Sequence, residues 1–491
     1  MTSVAIIGSG PAGLTACKEA LACGLKPTVF EKANAVGGGW RPDGFAWDSM
    51  TTNISQHTQM YSDFPFVEGT PDFPSHKEYY EYQQDYAKTF KIHPHVRLNS
   101  EVQKVFPSKE KWVVQWKKDG KEDSEAFDHV IVCSGIFSQA FTPEIPGLET
   151  FKGTIFHSRE YKKPDAFEGK TVTVIGNAFS GCEIAGEIAT KADMVFHATR
   201  KPLWILPRYL KKADTEKTIP ADLIFYSRTS LKRSQGVDAK VLNTRKNTWF
   251  KGICSEQEKI CPDLAIKAPV EDPPFVTISD SYLKQVQKGK VQVHLGSIQK
   301  IEGDTVIYHD GTVQKTDALV FCTGYRTTLP FFDADILEKL GYQPDDPLQP
   351  LLLHKTVFPR NLEGLTFIGM YRGPFPGVEE LQAQRACMSI SGQVPFPSAE
   401  EIEKGIKFEE EIRNAKPRPQ FPHGNYVEFC EDLAKEIGVL PDFAKIEKED
   451  PVLFDQLVNG PFTTASYRLN GPGSNPGLAR KIIQRINKAA E

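Results

Sequence analysis

Two glycine-rich turns, each directly after a continuous run of aliphatic and β-branched residues, restrict this 491-residue chain more than any other feature. The first run, Val4-Ala5-Ile6-Ile7, leads into Gly8-Ser9-Gly10-Pro11-Ala12-Gly13. The second, Thr171-Val172-Thr173-Val174-Ile175, leads into Gly176-Asn177-Ala178-Phe179-Ser180-Gly181. Uninterrupted runs of this kind read as strands buried on both faces of a parallel sheet. In the first turn Gly8 permits the tight reversal and Gly10 lets backbone approach a pyrophosphate. Gly13 lets the following helix, patterned by Leu14, Cys17 and Leu21, pack closely on the strand. That helix offers an anion its free N–H groups and the positive end of its dipole.

The two halves differ beyond their turns. After the first turn a second strand, Pro27-Thr28-Val29-Phe30, ends in Glu31, an acceptor for ribose hydroxyls. Gly37-Gly38-Gly39-Trp40 comes soon after and suits a long ligand lying along the sheet edge, which favours FAD over NAD; Trp40 alone reads equally well as core packing. After the second turn, Met194-Val195-Phe196-His197-Ala198 ends in Thr199-Arg200-Lys201 instead of an acid. An arginine there pairs bidentately with a 2′-phosphate, so this half predicts NADP(H). Ala178 stands where the middle glycine often sits, a departure expected to shift the approach of the backbone.

The expected fold is α/β, with two Rossmann-like dinucleotide-binding domains. The FAD domain is discontinuous, spanning 1–165 and 326–491, and the second part carries the C-terminal tail. The NADPH domain is inserted over 166–325 and carries a helical, basic insertion at about 205–275. His129-Val130-Ile131-Val132-Cys133-Ser134-Gly135 and Ala318-Leu319-Val320-Phe321-Cys322-Thr323-Gly324 are matching buried strands that each end in a small-residue turn. Tyr79–Phe90 has helical spacing, and Val96-Arg97-Leu98 with Trp112–Trp116 reads as a small β-meander. From Arg208 to Lys251 basic residues alternate with Phe225, Tyr226, Trp249 and Phe250; the pattern reads as a solvated helical cap, with an anionic membrane surface as the alternative.

A net charge of -4 argues against a nucleic-acid binder. No apolar run approaches the roughly 18 residues of a membrane span. Nine scattered cysteines without a C-x-x-C pair predict reduced thiols, no metal site and a cytoplasmic protein. By pattern alone Asn53, in Thr51-Thr52-Asn53-Ile54-Ser55, is a turn residue.

Five features together resemble the flavin-containing monooxygenases, the class B flavoprotein enzymes of the N,N-dimethylaniline monooxygenase kind that oxygenate nitrogen and sulfur. They are the turn Gly8–Gly13, the Gly37–Trp40 cluster, the fingerprint F-x-G-x-x-x-H-x-x-x-Y (Phe151, Gly153, His157, Tyr161), the turn continuing through Ser180-Gly181-Cys182-Glu183-Ile184-Ala185, and Phe321-Cys322-Thr323-Gly324-Tyr325. The resemblance covers nearly the whole chain, including Gly460-Pro461-Phe462 through Gly471-Pro472-Gly473. It implies an enzyme in which NADPH reduces FAD and oxygen adds to give a C4a-hydroperoxyflavin. NADP+ stays bound to shield that species until a soft nucleophile, an amine or a sulfide, takes the distal oxygen. It makes Asn53 the active-site asparagine. For FAD it implies Gly8, Gly10, Pro11, Ala12, Gly13, Glu31, Lys32, Gly39, Trp40, Thr52, Asn53, Val102, Ser134 and Gln382. For NADPH it implies Tyr61, Asn177, Ser180, Gly181, Thr199, Arg200, Thr323 and Gly324. Gly153 and His157 are expected to act through structure, linking domain closure to cofactor geometry, and His157 carries no proton-transfer role.

The partners implied are a small amine or sulfide and O2, with peripheral membrane contact and a homodimer left open. The alternatives are Baeyer–Villiger oxidation of ketones, whose enzymes usually carry tryptophan where this chain has Tyr161, and an NADPH oxidase releasing H2O2. A flavin disulfide reductase needs a redox cysteine pair that the sequence lacks, and a non-enzymatic NADPH-binding protein is the rival of a different class.

Overall fold

The computed structural model describes residues 1–212, 215–373 and 375–491. Two five-stranded parallel sheets organise it. The first is built around Ser3–Ile7, flanked by Lys26–Phe30 and His129–Val132, with Val96–Arg97 at one edge and Leu365–Phe367 at the other. That last strand arrives after the whole second sheet has been completed. The Val96–Arg97 strand corrects an expectation: it pairs parallel to Lys26–Phe30 and does not join the meander. The meander itself consists of Ser100–Ser108, Lys111–Lys118 and Lys121–Phe127.

Alternation along the central strand explains its continuous apolar run. Val4 and Ile6 face a core shared with the Pro11–Ala22 and Phe375–Ile390 helices. Ala5 and Ile7 face a second core, shared with Trp112, Val114 and Trp116 of the meander. Both faces are covered, so neither tolerates a polar side chain.

The second sheet runs Val291–Leu295, Met194–Thr199, Thr171–Ile175, Ala318–Phe321, Thr154–His157. Its last strand belongs to the fingerprint and lies upstream of residue 165, so this sheet begins earlier than the expected boundary. The fingerprint strand pairs in register from Thr154↔Ala318 to His157↔Phe321. The two connections between the sheets also pair with each other, Ala140 with Tyr325 and Gln139 with Arg326, as a short antiparallel ribbon. The basic stretch is mainly helical, with Arg228–Ser234 and Ala239–Ile253 its longer pieces. Several of its cations are paired: Lys211 with Glu216, Lys240 with Glu271, and Lys212 with the Ala490 carbonyl of the C-terminal helix.

Buried charge fastens the tail. Arg468, 3% exposed, donates to Glu380 at 2.7 Å, to Ser62 Oγ at 2.6 Å and to Glu19 at 3.3 Å, while Lys18 donates to Asp63 at 2.6 Å. Removing one member of such a network strands the others in the interior. The Pro476–Ala490 helix completes the first core through Ile482 and Ile486. Among the described residues no helix is long and apolar enough to cross a membrane, and no three His, Cys, Asp or Glu side chains gather as a metal site.

Two glycines make opposite predictions. A methyl on Gly153 would lie 2.1 Å from the Asp317 carbonyl oxygen, whereas one on Gly252, inside the Ala239–Ile253 helix, meets nothing within 4 Å. Gly153→Ala is expected to lower stability by about 1–3 kcal/mol, and Gly252→Ala to raise it by about 0.5–1 kcal/mol. Thermal unfolding followed by circular dichroism checks both.

Candidate active site

The two turns have the same geometry. Gly8 has φ +101°, and a Cβ there would sit 2.6 Å from the Cys133 carbonyl oxygen; one on Gly13 would sit 2.0 Å from that of Gly8. In the second turn Gly176 has φ +103° and a Cβ would meet the Cys322 carbonyl at 2.5 Å, while one on Gly181 would meet that of Gly176 at 1.8 Å. The middle positions coincide too: Gly10 has φ -71°, ψ -173° and Ala178 has φ -73°, ψ -166°. The Ala178 methyl thus sits on a backbone conformation open to any residue, the same as that of Gly10. Neither the Pro11–Ala22 helix nor the Phe179–Ile188 helix has a side-chain cap, which leaves first-turn N–H groups available to an anion.

Around the first turn the residues fit FAD. The Gly37–Trp40 cluster folds back on it: Gly37 N–H donates to the Ser9 carbonyl at 2.9 Å, and a Cβ on Gly38 would meet Gly10 Cα at 2.8 Å. A Cβ on Gly39 would enter the Phe45 ring. Trp40 meets Tyr79 edge-on at 4.5 Å, which shows the packing role its sequence left open. Glu31, buried, accepts from the N–H and Oγ of Ser9 at 2.9 and 2.6 Å and from Ala33 N–H at 2.9 Å. Lys32 beside it is exposed. The Thr52 and Ser134 hydroxyls are buried without a hydrogen-bond partner among the described residues, as expected of groups that bond a cofactor. Val102 lies at the bulge of the meander, against the second core. Gln382, fully enclosed, accepts from Gly369 N–H at 3.2 Å and donates to the Thr356 hydroxyl.

Around the second turn Asn177 donates to the Lys201 carbonyl, Thr199 Oγ1 donates to the same oxygen at 3.0 Å, and Arg200 stands exposed at the strand end. Ser180 and Gly181 form the first turn of the uncapped helix. Thr323 Oγ1 donates to the Phe141 carbonyl, and the Gly324 carbonyl accepts from Phe141 N–H at 3.0 Å. These residues fit a dinucleotide as well. Tyr61 is a correction: instead of being open to NADPH it is fully buried in the first core, packed on Tyr82 and Tyr86, with its hydroxyl donating to the Pro11 carbonyl at 3.1 Å. An aromatic cluster with one internal acceptor claims both its ring and its hydroxyl.

The fingerprint segment is a joint. Phe151 packs in the core behind the second sheet, and Gly153 admits the Asp317 backbone. His157, buried, accepts at Nδ1 from Arg159 N–H at 3.1 Å, so its proton resides on Nε2 and is donated to the Gly324 carbonyl at 3.1 Å. Burial pushes its pKa below the usual histidine value, with the Gly324 hydrogen bond opposing. Tyr161 is buried against Trp47 of the first domain. The next residue, Lys162, donates to the carbonyls of Gly44 and Ala46 at 2.8 and 2.7 Å and so holds the loop that follows Trp40.

Asn53 lies between the two units, partly buried, where the sequence pattern showed only a turn. Its Oδ1 accepts from Arg208 Nη2 at 3.4 Å. Asp222 holds the same loop further on, accepting from Ser55 N–H, Ser55 Oγ and Thr58 Oγ1 at 3.1, 2.7 and 2.6 Å. Arg208 and Asp222 belong to the basic insertion, and nothing in that aperiodic stretch marks them apart from its solvated neighbours. Lys162 is hidden for the same reason: it is an unremarked charge until the chain is folded. All nine cysteines are free, and burial pushes the thiols of Cys133 and Cys322, next to the two turns, well above the usual range.

Two dinucleotide turns on linked parallel sheets, the first enlarged by a second glycine cluster and the second followed by arginine, define a pyridine-nucleotide-dependent flavoprotein. The flavin-binding monooxygenase-like family model matches residues 1–490. The chain is 34% identical over 519 residues to dimethylaniline monooxygenase [N-oxide-forming] 2 of Rattus norvegicus, covering 99% of this chain and 92% of that protein. It is 33% identical over 518 residues to flavin-containing monooxygenase 2 of Homo sapiens, with the same coverage of 99% and 92%. Among solved structures, S-allyl-L-cysteine S-oxygenase from Allium sativum superposes with a TM-score of 0.63 at 22% identity over 99% of both chains. An open form of cyclohexanone monooxygenase gives 0.67 at 17% identity over 88% of this chain and 97% of that one. The chain belongs to the flavin-binding monooxygenase family. It is an FAD-dependent monooxygenase using NADPH.

Glu379 generates a pH prediction. It lies on the Phe375–Ile390 helix, 6% exposed, with Oε2 unpartnered among the described residues, and burial pushes its pKa up to about 8 from 4.5. Between those values the folded protein holds a proton that the unfolded chain has released. This contribution is therefore fully present below the unfolded value and is lost as pH rises toward about 8, by at most about 1.4 kcal/mol per pH unit. Thermal unfolding from pH 5 to 8 is expected to show a steeper fall of the midpoint for the parent protein than for Glu379→Gln.

Proposed function

We propose that the protein oxygenates soft nucleophiles, the nitrogen of small amines or the sulfur of small sulfides, using O2 and NADPH. The reading is carried by the contrast between the two turns: buried Glu31 after the first, exposed Arg200 after the second. Family membership over the whole chain sets the chemistry, and the relatives at 33–34% identity are named for N-oxide formation. Bound FAD supplies the oxygen-activating chemistry with electrons from NADPH.

The chain's own residues do the rest. N–H groups at Ala12 and Gly13 receive the FAD pyrophosphate, and Glu31 accepts from its ribose while keeping Ser9. The Thr52 and Ser134 hydroxyls, unpartnered among the described residues, and the Asn53 amide would hydrogen-bond the cofactor. The N-terminus of the Phe179–Ile188 helix receives the NADPH pyrophosphate, and Arg200 pairs with the 2′-phosphate. The fingerprint joint and the insertion hold the two units together at the loop that carries Asn53, where keeping water out would favour transfer of oxygen to the substrate.

Stopped-flow absorbance tests this reading. The protein is reduced anaerobically with NADPH and mixed with oxygenated buffer. A near-ultraviolet transient that persists for seconds and is discharged by a thioether or a tertiary amine, with the S-oxide or N-oxide as product, is the expected outcome. Immediate return to oxidised flavin with stoichiometric H2O2 would establish an oxidase, and a lactone or ester from a ketone would establish Baeyer–Villiger chemistry. Two variants refine the roles. Asn53→Ala is expected to divert several-fold more of the NADPH consumed into H2O2. Arg200→Ser is expected to raise KM for NADPH by about 10- to 100-fold, from loss of a charge-assisted contact of roughly 1.5–3 kcal/mol, leaving KM for NADH unchanged.

A further inference from the structure

Arg208 follows the Trp204–Leu206 strand and is 7% exposed. Its guanidinium reaches both units. Nε donates to the Thr52 carbonyl at 3.2 Å and Nη2 to Asn53 Oδ1 at 3.4 Å, both on the loop contributed by the first domain. Nη2 also donates to Glu183 at 2.9 Å and Nη1 to Asp280 at 3.1 Å, both in the second domain, and the Arg208 N–H donates to Asp280 at 3.0 Å. Glu183 stands on the Phe179–Ile188 helix, whose N-terminus is the second phosphate turn. Burial opposes the charge on Arg208, but Glu183 and Asp280 outweigh it and raise its pKa above the ordinary arginine value. The cation is therefore permanent.

A guanidinium has donors and no acceptor. Only the oxygen end of the Asn53 amide can face it, so the Nδ2 end is turned away from Arg208. Among the described residues Nδ2 has no hydrogen-bond partner. The Asp222 bonds to Ser55 and Thr58 fix the backbone of the loop further along, leaving the amide flip of Asn53 as the freedom to be settled.

We infer that Arg208 is a positioning residue that sets which end of the Asn53 amide faces the cofactors, and that its pairing with Glu183 ties this orientation to the placement of the helix at the second turn. The inference rests on the role proposed above for Asn53. It reaches further by naming the group that makes the amide a fixed donor. A loop asparagine without it presents oxygen or nitrogen with nearly equal ease, and an oxygen aimed at a cofactor acceptor repels it. Lysine at this position keeps a donor but loses the fork that spans Thr52, Asn53, Glu183 and Asp280 at once.

The test uses the full-length holoenzyme and the variants Arg208→Met, Arg208→Lys, Glu183→Gln, Asn53→Ala and the pair Arg208→Met with Asn53→Ala. Arg208→Met leaves Glu183 and Asp280 without their cation, so Arg208→Met with Glu183→Gln is made beside it to relieve one of the two carboxylates. Two readouts are taken: the fraction of consumed NADPH that ends as H2O2, and the flavin absorbance difference spectrum induced by NADP+ without turnover. Arg208→Met, alone or with Glu183→Gln, is expected to raise the peroxide fraction at least fivefold and to lose the same NADP+-induced band that Asn53→Ala loses. Adding Asn53→Ala to Arg208→Met is expected to change neither readout further. Arg208→Lys should recover at least half of the lost coupling, and Glu183→Gln alone should stay within twofold of the parent. If Asn53→Ala is uncoupled while both Arg208→Met forms behave as the parent, the inference is wrong and the Asn53 reading stands. Losses at Arg208 and Asn53 that multiply also overturn it. A fully coupled Asn53→Ala overturns the Asn53 reading and the inference with it.

Discussion

Everything in this fold hangs on a contact that leaves no room for a side chain. Each phosphate turn begins with a glycine pressed on the carbonyl that ends the neighbouring strand, Gly8 on Cys133 and Gly176 on Cys322, and ends with a glycine pressed on the first one. The two glycines draw the helix against the strand it follows. That closeness points the helix N-terminus, with its free N–H groups, at the carboxyl edge of the sheet. A methyl at either place pushes the helix off the sheet and removes the anion site with it. The turn interior is less demanding, and Ala178 shares its backbone conformation with Gly10.

Two such sites become an enzyme only when held against each other, and the chain does this with backbone more than with large apolar surfaces. The crossing connections pair as the Gln139–Ala140 and Tyr325–Arg326 ribbon, with Phe141 bonded to Gly324. His157 donates to that same Gly324 carbonyl, and Lys162 reaches across to the carbonyls of Gly44 and Ala46. Backbone carbonyls have fixed positions, so these bonds define an angle between the sheets more sharply than flexible side chains would. The insertion closes the opposite side through Arg208 and Asp222, which take hold of the Thr52–Thr58 loop. The tail is fastened separately, by Arg468 in its nest of carboxylates. One consequence is that residues remote from either turn govern the geometry between them.

The elements legible from the chain were those with short-range causes. Val4–Ile7 and Thr171–Ile175 declare themselves by unbroken apolar character, and each is a central strand covered on both faces. The acid after one turn and the arginine after the other are equally legible, and the structure leaves Glu31 buried and Arg200 exposed. Misreadings came where a long-range partner decided the outcome. Val96–Arg97 has the composition of a meander strand, but the free edge of Lys26–Phe30 captured it. Tyr61 is assigned to NADPH by the resemblance, but Tyr82, Tyr86 and the Pro11 carbonyl enclose it.

By itself, then, the sequence determined the parts: two strand–turn–helix units, their glycines, and the acid and the arginine that follow them, because each depends on residues within about 25 positions of one another along the chain, the span of the fingerprint and its acidic residue. Tertiary structure alone decided the relation between the parts. It joined Thr154–His157 to the second sheet and brought Leu365–Phe367 back to the first. It lifted Arg208 out of a run of solvated cations and set it against Asn53, and it buried Glu379 with its Oε2 unpartnered among the described residues. The physical reason is the same in each case. The meaning of a charge or an amide lies in what it faces and how much water it has lost, and neither is settled until distant segments pack.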